Sequence, residues 1–224
     1  MLASCSFDGS VMIHREQQPS QWVVLHAAHG LHTSSVSGVA FAPHHHGLQV
    51  AAASADGRVS ILVHQADQMW EVTYLTDCST GVNAVSWEDT AAGQAPRLVT
   101  AGCDGALRFW KNQEGTWELE TTTDVVHKDM VRDVAWAPML VPDESMVASC
   151  SEDKTVLIWN FDGENWKSSV MHEFQEPVWH VSWSVTGHLL AVSSGENTVS
   201  LWKKGLDNQW TQVETAEEVS TQEQ

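Results

Sequence analysis

Positive charge is scarce in this sequence: 11 Lys and Arg stand against 29 Asp and Glu, a formal net charge of −18. A surface that acidic repels phosphate backbones and anionic headgroups, which argues against direct binding to nucleic acid or direct insertion into a membrane. Long apolar runs are missing too. From Gln17 to Ala55 there is no Asp, Glu, Lys or Arg, yet Gln, Ser and His interrupt the stretch throughout. Nothing approaches the roughly 18 consecutive apolar residues of a spanning helix. The first residues, Met1 to Asp8, lack a basic n-region followed by an apolar h-region, so no secretory signal is expected. Cysteine is sparse and unpaired in pattern: Cys5, Cys78, Cys103 and Cys150 form no CxxC, and most fall inside or beside the repeat motifs below. Buried reduced thiols fit better than a disulfide framework, and a soluble chain in cytosol or nucleoplasm is the expectation.

What is present is a repeat. Five segments share one pattern: LASCSFDGSVMIH from Leu2, VAAASADGRVSILV from Val50, LVTAGCDGALRFW from Leu98, MVASCSEDKTVLIW from Met146 and LLAVSSGENTVSLW from Leu189. Each is an alternating apolar strand, a tight turn with an acid, and a second alternating strand. The acids Asp8, Asp56, Asp104, Asp153 and Glu196 lie 48, 48, 49 and 43 residues apart. Trp22, Trp70, Trp117, Trp166 and Trp210 follow them by 14, 14, 13, 13 and 14 residues. Between the units lie four further strands, SSVSGVAFAP, GVNAVSWED, MVRDVAWAP and PVWHVSWSV. Four short strands in about 45 residues is the mark of a propeller blade.

The reading is therefore all-β, a WD-repeat β-propeller over residues 1–213, with blades at about 2–28, 35–76, 81–123, 130–172 and 177–213. Residues 214–224 carry four Glu and no base, and are expected to form an acidic disordered tail. The first unit starts at what should be a second strand, leaving four full blades plus three strands of a fifth. Such an open, incomplete ring exposes strand edges. The expectation is an N-terminally truncated propeller or one closed by a partner.

The polar residues of one blade, His127, Ser149, Asp153 and Trp159, could be taken for hydrolase chemistry. A nucleophilic serine needs an exposed hydroxyl, an oxyanion hole and usually a GxSxG elbow, and none is visible. The spacing instead predicts a buried network of carboxylate, imidazole, hydroxyl and indole N–H. Thr100, Asp104 and Trp110 repeat it in part, with Cys78 where a histidine is expected; Ala52 and Leu62 replace hydroxyl and Trp in the second blade, and His14 replaces Trp in the first. His44, His45 and His46 are read as a solvated turn, because consecutive residues of an extended chain point to opposite sides. No catalytic residue, cofactor or metal site is expected. Most of the twelve Trp fall at repeat-equivalent positions, which points to core packing.

VRDVAWAP from Val131, VNAVSW from Val82, VWHVSWS from Val178 and the endings GTWELE, GENWKS and DNQWTQ resemble the SEC13 family, from Leu2 to about Val213. That family supplies a small subunit of the COPII vesicle coat in ER-to-Golgi transport and of the nuclear pore's Y-shaped scaffold. A nutrient-signalling complex uses it as well. The resemblance implies a non-catalytic scaffold, six-bladed and open, with further strands before Leu2. It implies a blade donated by a helical rod protein of the cage or by a helical scaffold nucleoporin. It places the protein in cytoplasm, at ER exit sites and COPII vesicles, and at nuclear pores. Trp179, Trp183 and Trp202 on the last blade are the expected partner-facing residues. The alternative is another WD adaptor, such as a sister propeller or a ubiquitin-ligase substrate receptor; the latter tends to carry Asp where Lys111, Asn160 and Lys203 follow the strand-ending Trp.

Overall fold

The computed structural model describes residues 1–124, 127–138, 145–195, 197–205 and 209–216. Apart from a 3₁₀ turn at His44–His46, the elements among them are all strands. Each repeat folds as one antiparallel meander. The first blade holds β1 (Leu2–Cys5), β2 (Val11–Gln18) and β3 (Gln21–Ala28). The second holds β4 (Val36–Phe41), β5 (Gln49–Ser54), β6 (Arg58–His64) and β7 (Trp70–Thr76). The third holds β8 (Val82–Trp87), β9 (Arg97–Gly102), β10 (Leu107–Gln113) and β11 (Thr116–Thr122). The fourth holds β12 (Val131–Trp136), β13 (Met146–Ser151), β14 (Thr155–Phe161) and β15 (Trp166–Glu173). The fifth holds β16 (Val178–Trp183), β17 (Leu189–Ser194), β18 (Thr198–Lys204) and β19 (Trp210–Ala216).

Burial falls from the middle of a blade outward. In β5 every residue from Val50 to Ser54 is buried, whereas in β11 no residue is. A strand buried on both faces leaves little room, so β5 carries Ala51, Ala52 and Ala53 where outer strands carry Glu and Thr. The chain divides into two compact units, Met1–Val131 with the first three blades and Arg132–Gln224 with the last two. In the first unit, Ala51, Ala53, Val59 and Ile61 of the second blade pack on Val82, Trp87, Leu98 and Trp110 of the third. In the second unit, Ala148, Cys150 and Ile158 pack on Val178, Val181, Leu190, Val192 and Trp202. An indole N–H links neighbouring blades in each unit: Trp87 Nε1 donates to the Ala40 carbonyl (3.1 Å) and Trp183 Nε1 to that of Ala135 (3.0 Å).

The acid-bearing turns fix how one blade meets the next loop. Gly105 follows Asp104 with φ +82°, and a Cβ there would stand 2.6 Å from the His127 carbonyl oxygen. A left-handed backbone in so close an approach suits glycine alone.

Three expectations meet a different structure. β19 continues to Ala216, where Val199 pairs with it, so the strand runs into the stretch read as tail. Edge pairing with β18 extends the acidic segment by backbone hydrogen bonds that composition does not reveal. The rest of that tail, 217–224, and Glu196 lie outside the described residues. The His44–His46 turn is less solvated than its sequence suggests. His44 is exposed, but His45 and His46 are half-buried, and His46 Nε2 meets Thr90 Oγ1 at 2.7 Å. Trp202, finally, is buried in the second unit's core rather than open to a partner. Register explains this: Trp202 pairs with Leu190, and both side chains lie on the face turned toward the fourth blade.

Candidate functional site

The polar clusters lie where a β-turn of one blade meets the loop entering it, and each blade fills that place differently. In the second blade it is filled by His32, which enters from the loop before β4. Its Nδ1 meets Asp56 Oδ2 at 3.0 Å and its Nε2 meets Ser60 Oγ at 2.9 Å. Thr33 N–H (3.0 Å) and Arg58 (3.1 Å) donate to the same carboxylate oxygen. Burial lowers the His32 pKa against the pull of Asp56. Burial would raise the Asp56 carboxyl, but donors from Thr33, Arg58 and His32 outweigh it and hold it well below the ordinary range. Sequence reading missed this brace because it looked for the hydroxyl at Ala52; the hydroxyl comes from Ser60 on the next strand.

In the third blade Trp110 Nε1 reaches Thr100 Oγ1 at 3.2 Å, as the spacing predicts, but Asp104 does not join them. The acceptor is Asp77, whose Oδ2 takes hydrogen bonds from Thr100 Oγ1 and from Trp110 Nε1 (3.2 Å). Asp104 instead accepts from Arg108 Nη2 at 2.6 Å, and Arg108 Nη1 also lies 3.5 Å from Asp77 Oδ1. Burial raises the Asp77 pKa, opposed by Thr100, Arg108 and Trp110. Cys78, read as the histidine substitute, meets Thr80 Oγ1 at 2.9 Å. The signal for Asp77 was the acid beside Cys78; a one-residue offset hid it.

In the fourth blade, Trp159 Nε1 donates to Ser149 Oγ at 2.8 Å, as the spacing predicts. Asp153 closes its own turn, accepting from Thr155 N–H (2.9 Å) and Oγ1 (2.6 Å). His127 is buried in the first unit, with only 1% of its surface exposed. In the fifth blade, Trp202 Nε1 donates to Ser200 Oγ at 2.8 Å.

None of these groups is set up as a nucleophile. Ser149 and Cys150 are fully buried, and burial with the nearby Asp133 charge pushes the Cys150 thiol well above its ordinary value. Nearby, Asp133 meets His180 and anchors β16, because Asp133 Oδ2 also accepts from Val181 N–H at 3.0 Å. Among the described residues, no group of three or more His, Cys, Asp or Glu is placed to hold a metal ion.

The three expected partner-facing Trp separate. Trp202 is core, with His172 and Phe174 rings at 4.6 and 5.8 Å. Trp183 is half-buried, bound to Ala135 and packed 5.9 Å from Trp210. Trp179 alone is exposed, at 44%, with Arg132 above its ring at 5.2 Å. It sits on a β-bulge of β16, where Val178 and His180 flank it in the register, and the bulge turns its side chain out of the alternation.

Comparison with known proteins matches this arrangement. The family model "WD domain, G-beta repeat" matches residues 25–61, 119–160 and 168–203. "Protein transport protein sec13" of Emericella nidulans is 41% identical over 97% of this chain and 77% of its own length. "Protein SEC13 homolog" of Drosophila melanogaster is 38% identical over 95% of this chain, and that of Homo sapiens 42% over 70%. The matched part is 64% of the Drosophila relative's length and 54% of the human one's. Repeat spacing, blade topology and these identities agree: the chain belongs to the SEC13 family of WD-repeat proteins.

Proposed function

We propose that this chain is a non-catalytic scaffold that holds other proteins together in protein transport, as a subunit of the COPII coat in ER-to-Golgi traffic. The supporting observation is its identity, 41% over 97% of the chain, to a relative named a protein transport protein. The burial of every serine and thiol that could act as a nucleophile within the braces is consistent with it. A second assignment, to the nuclear pore scaffold, rests on the family resemblance alone. The proposed partners are the helical rod protein of the cage and a helical scaffold nucleoporin, each laying a donated β-blade against an open blade face. Such faces are available: Leu2, Trp22 and Val24 are 47, 46 and 55% exposed on the first blade, and Val199 and Trp179 are 46 and 44% exposed on the fifth. Strand addition gives affinity through backbone hydrogen bonds and choice through side-chain pockets. The proposed location is peripheral, at ER exit sites, COPII vesicles and nuclear pores.

The test is affinity purification of the tagged chain from cytosolic and nuclear-envelope fractions, with partners identified by mass spectrometry. Recovery of the coat rod from cytosol is expected. A soluble bait that recovers neither rod nor scaffold nucleoporin would falsify the reading.

A further inference from the structure

The third and fifth blades place acids at the same positions. Asp77 lies five residues before Val82, the first residue of β8, and Glu173 lies five before Val178, the first residue of β16. Asp104 in one turn corresponds in sequence to Glu196 in the other. Counting along β10 and β18, Arg108 corresponds to Ser200 and Trp110 to Trp202. The third blade thus sets its own guanidinium between two carboxylates, 2.6 Å from Asp104 and 3.5 Å from Asp77.

Where the fifth blade has Ser200 instead, the structure holds an open cavity of about 320 Å³. Among the described residues its walls include Glu173, Glu176, His172, Phe174, Trp202, Ser194 and Ser200, and no Lys or Arg lines it. The nearby Lys154 is spent on the Gln175 carbonyl, to which its ammonium donates at 2.7 Å. Ser194 is 7% exposed, and among the described residues its hydroxyl makes no hydrogen bond. Ser200 is 3% exposed and accepts the Trp202 indole N–H. The cavity therefore offers carboxylates, hydroxyl oxygens and aromatic rings, the His172 imidazole among them, and among the described residues no Lys or Arg.

We propose that this cavity is a receptor for an arginine side chain supplied by a basic partner segment, which takes in trans the place that Arg108 takes within the third blade. Arginine suits it better than lysine. A planar guanidinium can bond carboxylates along its edge and lie against aromatic rings with its face, whereas a compact, strongly hydrated ammonium matches only the charge. The chain's net charge of −18 draws a basic segment toward it. None of Leu2, Trp22, Val24, Trp179 and Val199, the exposed residues offered for a donated β-blade, lines the cavity, so failure of that partner model leaves it standing.

The test uses the full chain, ¹⁵N-labelled, titrated with N-acetyl-arginine methylamide and, in parallel, with the lysine and citrulline analogues. The arginine probe is expected to shift the Trp202 indole resonance, assigned through Trp202→Phe, and the citrulline analogue to leave it unmoved. E173Q and E176Q should each weaken the arginine probe by about tenfold, the usual scale of a charge-assisted hydrogen bond. S200R, which copies the third blade, should fill the cavity and abolish the shift. No shift at saturating probe, equal shifts from arginine and citrulline, or undiminished binding by E173Q and E176Q would overturn the proposal, whether or not S200R folds.

Discussion

In the third blade a guanidinium lies between two carboxylates, and Thr100 and Trp110 complete the network around Asp77. In the fifth, the same frame holds a serine and a cavity. The blades share strand order, register and the Trp of their third strand, so the difference resides in a few side chains, chiefly Arg108 against Ser200 and Thr100 against Val192. A repeat fixes where polar groups converge; it does not fix whether the chain itself satisfies them. The second blade solves the problem a third way, with His32 between Asp56 and Ser60.

The largest break in this comparison is Arg108→Ala. Asp77 has a fully buried side chain, and Arg108 is the cation beside it. Removing one partner of a buried pair strands the other charge, which costs about 3–5 kcal/mol. Chemical denaturation should show a loss of that size, and adding Asp77→Asn should restore part of it. A loss below about 1 kcal/mol would show that solvent already screens the pair.

The next effect is in the fourth blade. Asp153→Ala leaves Thr155 N–H without the carboxylate that accepts it at 2.9 Å, so a thermal melt should report destabilisation of about 1–3 kcal/mol. An unchanged melt would remove Asp153 from the set of braces.

How far these sites were legible depended on what kind of regularity carried them. Strands and blades were readable because alternation and a doubled acid–Trp marker repeat along the chain, and a one-residue error would flip a whole strand to the wrong face. The Ser149–Trp159 bond was readable because both residues lie on paired strands, where Val147 faces Trp159 and Ser149 faces Leu157. Asp77, His32 and Ser60 were not. Two of them sit in entering loops, where a shift from position 78 to 77 changes the acceptor without changing the pattern. Trp202 was misread because it was grouped with its blade's exposed Trp179, although its equivalents Trp110 and Trp159 had been placed in the interior.

Titration sharpens the comparison further. Asp77 is a carboxyl whose pKa burial raises from 3.8, so the folded state holds its proton more firmly than the unfolded state. Stability from this group is full below the unfolded value and is lost as pH rises through the folded one. Asp77→Asn keeps the shape and removes the titration. The difference between wild-type and variant stability, measured by denaturation across acidic pH, should therefore fall as pH rises. A difference that is flat or climbs would mean that Arg108 and the donors outweigh burial.

The smallest effect belongs to the ion pair that joins the fifth blade to the fourth. His180 approaches Asp133, and that hydrogen bond raises its pKa from 6.5. The sign is the reverse of His32: stability from His180 is present below about 6.5 and is lost as pH rises through the raised value. Its side chain is 68% exposed, so water and salt screen the attraction. Asp133→Asn should return the His180 titration, followed by NMR, toward its ordinary value and cost less than about 1 kcal/mol at acidic pH through the lost charge. Asp133 also anchors Val181 N–H, a bond that the Asn oxygen can keep. A cost approaching that of Arg108→Ala would mean that the fifth blade is braced as firmly as the third by a different pair, and that its cavity is not the weak point the comparison makes it.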